Sequence, residues 1–310
     1  MRILLLGANG QVGFELHRSL TPLGEVVAAT RSGRLPGGAA CEVADLARPD
    51  TLPALVARVA PRWIVNAAAY TAVDQAEDEE ALAHTVNGVA PGVLGAAAKA
   101  GGASVLHFST DYVFAGDARA PYREDDRTGP LGAYGRSKLD GEQALRDSGA
   151  RHVLFRTAWV HAARGRNFLR TMLRLAATRE RLAVVADQHG APTPARLLAD
   201  VAVHAIRAAT RDAAADCEGT FHVAAAGSTT WFGFAQEVIA RGVEAGLLER
   251  APEVAPVASV DYPTRARRPA YSVLDNGRIS RELGLVLPDW RAGVAQCIAE
   301  IAENGAARPC

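Results

Sequence analysis

Arg2-Ile-Leu-Leu-Leu-Gly7-Ala-Asn-Gly10-Gln-Val-Gly13 is a short run of branched apolar residues that passes straight into glycines and then into a helical pattern over residues 11–20. Strand, glycine-rich turn and helix in that order form the opening unit of a dinucleotide-binding sheet. Gly7 and Gly10 permit a tight turn and the close approach of a pyrophosphate, and Gly13 lets the helix pack onto the strand. Asn9, Gln11 and Val12 flank the helix start, where free N–H groups and the positive end of the helix dipole favour an anion. The spacing is Gly-x-x-Gly-x-x-Gly, not the commoner Gly-x-Gly-x-x-Gly. A purely structural turn would use the same glycines; the strand before and the helix after favour the dinucleotide.

Outward from this unit, strand-like runs at residues 25–29, 63–66, 105–109 and 153–156 alternate with helical patterns at 51–59, 81–100 and 134–146. Such alternation predicts an α/β fold, a Rossmann-type doubly wound parallel sheet with helices on both faces. Several strands are apolar throughout, as strands buried on both sides are. Residues 1–156 read as the nucleotide-binding domain. A helix at 196–209 and a strand at 220–223 suggest that the chain returns to the sheet near 196–224. The rest of 157–310 reads as a smaller C-terminal substrate-binding lobe, with helices at 232–246 and 293–304 and loops at 190–194 and 252–269 where Pro and Gly cluster.

The composition is that of a globular enzyme: 310 residues, 49% hydrophobic and 22% charged, with 34 basic and 34 acidic side chains. Balanced charge gives no reason to expect nucleic acid or a membrane surface as partner. No apolar run approaches the roughly 20 residues of a membrane span, and the first residues run directly into the glycine turn, so a cytoplasmic location is expected. Cys41, Cys217, Cys297 and Cys310 are far apart and lack metal-ligand spacing, which fits idle thiols in a reducing compartment.

Tyr134 and Lys138 stand four residues apart in a predicted helix, so a phenol and an ammonium share one face. The cation is expected to favour the phenolate and bring a group of reference pKa about 10 within reach of neutral-pH proton transfer. A hydroxyl from Ser109 or Thr110, at the end of an apolar strand, would complete the set. Exposed helices often carry Tyr-x-x-x-Lys by chance; the glycine turn gives this pair its weight.

Where the second strand ends, at Thr30-Arg31-Ser32, an NAD-selective site usually offers an acid to the ribose. Here the acid is missing and Arg31 suits a 2′-phosphate, although an arginine in a solvated loop would read the same way. Asp45 and Leu46 follow a short third strand and could reach the adenine; Asp45 could equally cap the helix near Pro49. After the fourth strand, Ala69, Tyr70 and Thr71 would let backbone approach the cofactor, or simply allow tight helix–sheet packing.

GANGQVG from Gly7, VNAAAYTAVDQAE from Val65, HFSTDYVFAG from His107, AYGRSKLDGE from Ala133, RTAWV from Arg156, DQHGAPT from Asp187 and RARRP from Arg265 together resemble the extended short-chain dehydrogenase/reductases, over nearly the whole chain. The resemblance is to the branch that reduces dTDP-4-keto-6-deoxysugars. It implies NADPH, with NADH also accepted, and reduction of the C4 ketone of dTDP-4-dehydro-L-rhamnose to dTDP-L-rhamnose. Tyr134 would be the proton donor, Lys138 would hold the nicotinamide ribose, and Thr110 would bond in the catalytic centre. Asp111 and Tyr112 would touch the sugar together with Thr110, and Trp159 the deoxysugar or its carrier; Trp159 could also be an ordinary core residue. Asn167, Arg267 and Arg268, with Arg265, are the candidates for the diphosphate, against a bland reading of helix cap and basic loop.

Dehydratases of the same superfamily resemble the chain but carry an acidic pair after the catalytic threonine; here Asp111-Tyr112 supplies one acid only, which favours plain reduction. Two other readings are a reductase of a different dTDP-4-keto sugar and a non-catalytic regulatory subunit similar to those of methionine adenosyltransferase. Some relatives hold Mg²⁺ between subunits through acidic residues. This chain offers Glu15, then Arg196, then Glu300, so an Arg–Glu cluster without metal is expected. The chain would act as a monomer or a homodimer.

Overall fold

The computed structural model describes residues 1–211 and 218–306; Cys217 and Cys310 lie outside them. Seven parallel strands form the central sheet. They are β1 (Arg2–Leu6), β2 (Glu25–Thr30), β3 (Glu42–Val43), β4 (Trp63–Asn66), β5 (Ser104–Thr110), β6 (His152–Thr157) and a last strand, Gly219–His222, at the edge beyond β6. The order runs last strand, β6, β5, β4, β1, β2, β3, so the winding reverses between β1 and β4. Leu6 pairs with Ala29 on one side and Asn66 on the other, which brings three carboxyl ends to one edge. Open α/β sheets bind ligands at such an edge.

Side chains alternate across the sheet and fill two cores. Ile3, Leu5, Val65, Leu106, Phe108 and Phe155 meet Leu16 of α1 (Gln11–Ser19) and Leu198 of a helix returning at Ala195–Arg211. Leu4, Leu6, Ile64, Val105 and Leu154 face the other way, onto α2 (Leu52–Val59) and the helical stretch 80–101. The returning helix and the edge strand show that the chain re-enters the sheet after β6. The stretch expected as one helix over 81–100 is interrupted: Glu80–His84, a π turn at Thr85–Val89, then Ala90–Gly101. π turns are frequent at functional sites, and this one carries the buried Asn87.

A smaller lobe packs Leu169 and Met172 of the helix Phe168–Ala176, Phe234 and Val238 of Trp231–Glu244, and Trp290 and Val294 of the terminal helix into its own core. A strand pairing here was not expected. Glu253–Val257, read as loop because of Pro252 and Pro256, pairs in parallel with Arg181–Val185. A two-stranded ribbon consists of edges only, and an edge strand tolerates a proline that an interior strand would not.

Candidate active site

A cleft of about 910 Å³ runs along the carboxyl edge of the sheet and is walled on its far side by the smaller lobe. Gly7, Asn9, Gly10, Gln11, Val12, Arg31, Asp45, Leu46, Ala69, Tyr70 and Thr71 line one end. Thr110, Asp111, Tyr112, Tyr134, Lys138, Trp159, Asn167 and Arg268 line the other.

The glycines divide by role. Gly7 has φ of +76°, and a Cβ there would strike the backbone of Ala68. A Cβ on Gly13 would overlap the Gly7 carbonyl oxygen, so Gly13 allows α1 to seat against the turn and does not itself line the cleft. Thr30 does not reach the cleft either. Its hydroxyl donates to Arg34 O at 3.1 Å and accepts from Arg34 N–H, which closes the loop after β2. Arg31 beside it is exposed on the cleft wall. Asp45 accepts from Ala47 N–H at 3.0 Å, so it holds its own turn and does not cap the helix near Pro49. Asn87, which carried no signal in the sequence, accepts from Tyr70 N–H at 2.9 Å and donates to Tyr70 O at 2.9 Å, and so fixes the cofactor-side backbone.

At the other end the helix Ala133–Asp147 carries Tyr134 and Lys138. Thr110 caps the turn after β5: its hydroxyl accepts from Tyr112 N–H at 3.2 Å and donates to Asp111 Oδ1 at 3.0 Å. Ser109, the other candidate hydroxyl, is committed elsewhere, donating to buried Glu142 at 2.6 Å. Burial raises the Tyr134 phenol well above its ordinary value, Asp111 and Tyr112 push it further up, and only the Thr110 hydroxyl pulls it down. The sequence-based expectation that Lys138 would bring this phenol towards neutrality is therefore corrected. The ammonium turns inward, donating to Phe108 O at 2.7 Å, with His107 Nε2 at 3.3 Å. Burial lowers Lys138 to about 8, against the opposing pull of Glu142. Burial also raises Asp111 to about 6 against the downward pull of the Ser272 and Thr110 hydroxyls, and its Oδ2 makes no close hydrogen bond among the described residues.

Towards the lobe, Trp159 stacks on Trp231 at 3.6 Å with the rings 8° apart, its backbone in the left-handed region at φ 47°. Gly190 makes room for the indole, since a Cβ there would enter the ring. Trp231 was absent from the expected set; nothing near it in sequence marks it. Asn167 caps its helix by accepting from Arg170 N–H at 3.0 Å, and its amide nitrogen donates to Gln11 Oε1 at 2.7 Å, tying the lobe to the glycine turn. Arg166, exposed on the cleft wall beside it, is a cation the motifs did not single out. Among the arginines expected at the diphosphate, Arg268 lies in the cleft, bonded to Asp74 at 2.8 Å and Tyr112 Oη at 3.2 Å. Arg265 pairs with Asp78. Arg267 is exposed and does not line the cleft, because the neighbouring Ala266 and Pro269 are the residues turned inward.

The family model described as the RmlD substrate binding domain matches residues 1–303. The chain belongs to this family. A relative named dTDP-4-dehydrorhamnose reductase, from Burkholderia thailandensis, is 49% identical over 305 residues, covering 97% of this chain and 99% of its own. Another, a probable dTDP-4,6-dihydroxy-2-methyloxan-3-one 4-ketoreductase of Streptomyces antibioticus, is 41% identical, covering 97% and 96%. Among solved structures, a dTDP-4-dehydrorhamnose reductase of Bacillus anthracis in complex with NADP superposes with a TM-score of 0.85 at 31% identity, covering 96% of this chain and 99% of that one.

Away from the cleft, this member of the RmlD family brings Glu15, Arg196 and Glu300 together. Arg196 lies 3.5 Å from Glu15 and 3.0 Å from Glu300, and Arg164 lies 3.5 Å from Glu300 with its guanidinium over the Phe14 ring. Arg196 is thus paired on both sides rather than idle on a helix surface. No helix of the described residues is long and apolar enough to cross a membrane.

Proposed function

We propose that the chain reduces the C4 ketone of dTDP-4-dehydro-L-rhamnose to dTDP-L-rhamnose with NADPH. The observation that carries this reading is the convergence of Thr110, Tyr134 and Lys138 with the Gly7 turn in one cleft. The family and the names of its relatives give the substrate class. The cofactor fits the residues present: Gly7 admits backbone contact only, α1 begins at Gln11 without a side-chain cap, and Arg31 stands where an NAD-selective site would place an acid. A nicotinamide bound there supplies a hydride.

The remaining chemistry belongs to the protein. Reduction needs a proton donor, and a phenol held neutral by burial is in the required state before transfer. Thr110 bonds to that phenol, and Lys138 would hold the nicotinamide ribose. Asp111 is mostly ionised at neutral pH, and its unpartnered oxygen suits a sugar hydroxyl. Tyr112, bonded to Arg268, occupies the place where elimination would need a second carboxylate. Trp159 and Trp231 offer an apolar wall to the deoxysugar or its carrier, and Arg268 with Arg166 offers cations to the diphosphate.

Reduction of a different dTDP-4-keto sugar is the second reading, supported by the Streptomyces relative. Turnover with enzymatically prepared dTDP-4-dehydro-L-rhamnose and NADPH, with the product identified by NMR, decides between them. The rhamno product is expected; no turnover, or a product epimeric at C4, overturns the reading.

A further inference from the structure

Behind Lys138 lies a polar chain for which the reaction above has no use. Asn66, His107 and Lys138 are 1%, 1% and 2% exposed, so water does not complete their hydrogen bonds. The chain has a fixed starting point. The Ala68 backbone N–H can only donate, and it points at Asn66 Oδ1 at 3.2 Å, which settles the orientation of that amide. The Asn66 NH₂ then faces His107 Nδ1 at 3.1 Å. Burial, with the charges of Lys138 and His152, holds His107 far below its ordinary value, so the ring is neutral and carries one proton. With Nδ1 accepting from Asn66, that proton sits on Nε2, which faces Lys138 Nζ at 3.3 Å.

An ammonium at Nζ has no acceptor to offer Nε2–H, whereas an amine has a lone pair. The chain is thus one donor too many when Lys138 is charged and fully satisfied when it is neutral. Flipping Asn66 would only move the conflict to Ala68 N–H. Buried polar chains of this kind make an unpaired member costly. The other groups acting on Lys138 are Glu142 on its own helix, which favours the charge, and Phe108 O on β5, which accepts from Nζ in either form.

We propose that Asn66 and His107 are positioning residues for Lys138, holding it ready to give up a proton so that it can restore Tyr134 after each turnover. The Tyr134 O–H bond breaks as the proton passes to the ketone oxygen. Lys138, one helical turn from Tyr134 and lining the same cleft, releases the proton that the phenolate takes up, and the amine left at Nζ accepts a hydrogen bond from His107 Nε2–H. A proton from solvent returns Lys138 to its charged form, so one proton is consumed per ketone reduced. The turnover part of this scheme rests on the reduction reading; the arrangement of protons does not.

Two measurements test it. In mildly alkaline buffer, ¹⁵N NMR of the wild-type protein with cofactor bound should show His107 protonated on Nε2; a ring protonated on Nδ1 overturns the proposal without any variant. Asn66→Ala removes the donor to Nδ1 and adds no charge, and Asn66→Asp supplies an acceptor there. Both free Nε2 to accept from the ammonium, so both should move the alkaline limb of the kcat profile to higher pH, by about one unit for Asn66→Asp. A limb that moves only in Asn66→Asp would be plain added charge, and one that moves in neither would show a merely structural pair; either result sinks the proposal. Absence of turnover in the wild type would count against the reduction reading, while the tautomer would still judge this one.

Discussion

The two ends of the cleft are built to different standards. At the end holding Tyr134, Thr110, Asp111 and Lys138 are 5%, 2% and 2% exposed, with the Thr110 hydroxyl bonded to Asp111 and the Lys138 ammonium to Phe108 O. At the far end Arg31 is exposed and Asp45 half-buried, and Asp45 is held only by its local turn. Electrostatic effects are strong in the first environment and screened in the second. On the reduction reading, chemistry would fall where the structure is over-determined, and cofactor preference would be left to groups that water can reach.

Tyr134→Phe should give the largest effect, because it removes the transferable proton and leaves the ring packing against Tyr112 intact. Loss of a positioned general acid costs about 10²–10⁴-fold in kcat. NADPH affinity measured by fluorescence titration should be unchanged. Turnover near the wild-type rate would transfer the acid role to another group.

Asp111→Asn separates stability from activity at the same end. The folded carboxyl, raised from 3.8 to about 6, holds its proton more tightly than the unfolded one. The native state is therefore penalised progressively as pH rises from about 4 through 6, by an amount on the order of 2–3 kcal/mol. The variant escapes this penalty, so its Tm should exceed that of the wild type at pH 8, and the gain should vanish in acid below the unfolded pKa. Its kcat/KM should fall about tenfold through the lost hydrogen bond to the sugar. A Tm difference independent of pH would remove the burial argument.

Arg31→Ala probes the exposed end and should matter less. A mild preference for NADPH over NADH is expected in the wild type at low salt, and the variant should narrow it about two- to fivefold, the scale of an exposed ion pair. A preference that survives the substitution would place 2′-phosphate recognition elsewhere. The smallest effect concerns the Arg196 cluster: EDTA should leave the rate unchanged, since a guanidinium already stands between Glu15 and Glu300. Activity lost in EDTA and restored by Mg²⁺ would overturn that expectation.

The same contrast governs what could be read from the chain alone. The glycine turn, the alternation of apolar strands with helices, and Tyr134 with Lys138 are local patterns, visible because period and spacing are properties of sequence. Side-chain direction is not such a property. Thr30 and Arg31 are neighbours, yet one closes a loop on Arg34 and the other faces the cleft. Asn87 holds Tyr70, and Trp231 reaches the cleft, only through tertiary packing, and Asn66 and His107 meet Lys138 across three elements. The strand Glu253–Val257 was hidden by Pro256, whose cost depends on whether a strand lies at an edge.

The stacked indoles on the lobe wall make the protein its own optical probe. Of the four tryptophans, Trp63 and Trp290 are 3% and 1% exposed and sit in the sheet core and the lobe core, away from the cleft lining. Trp159 and Trp231, parallel and 3.6 Å apart, are electronically coupled chromophores placed where the sugar nucleotide would arrive. Occupancy of that end of the cleft is thereby written into near-ultraviolet dichroism and intrinsic emission, readable in a protein that turns nothing over.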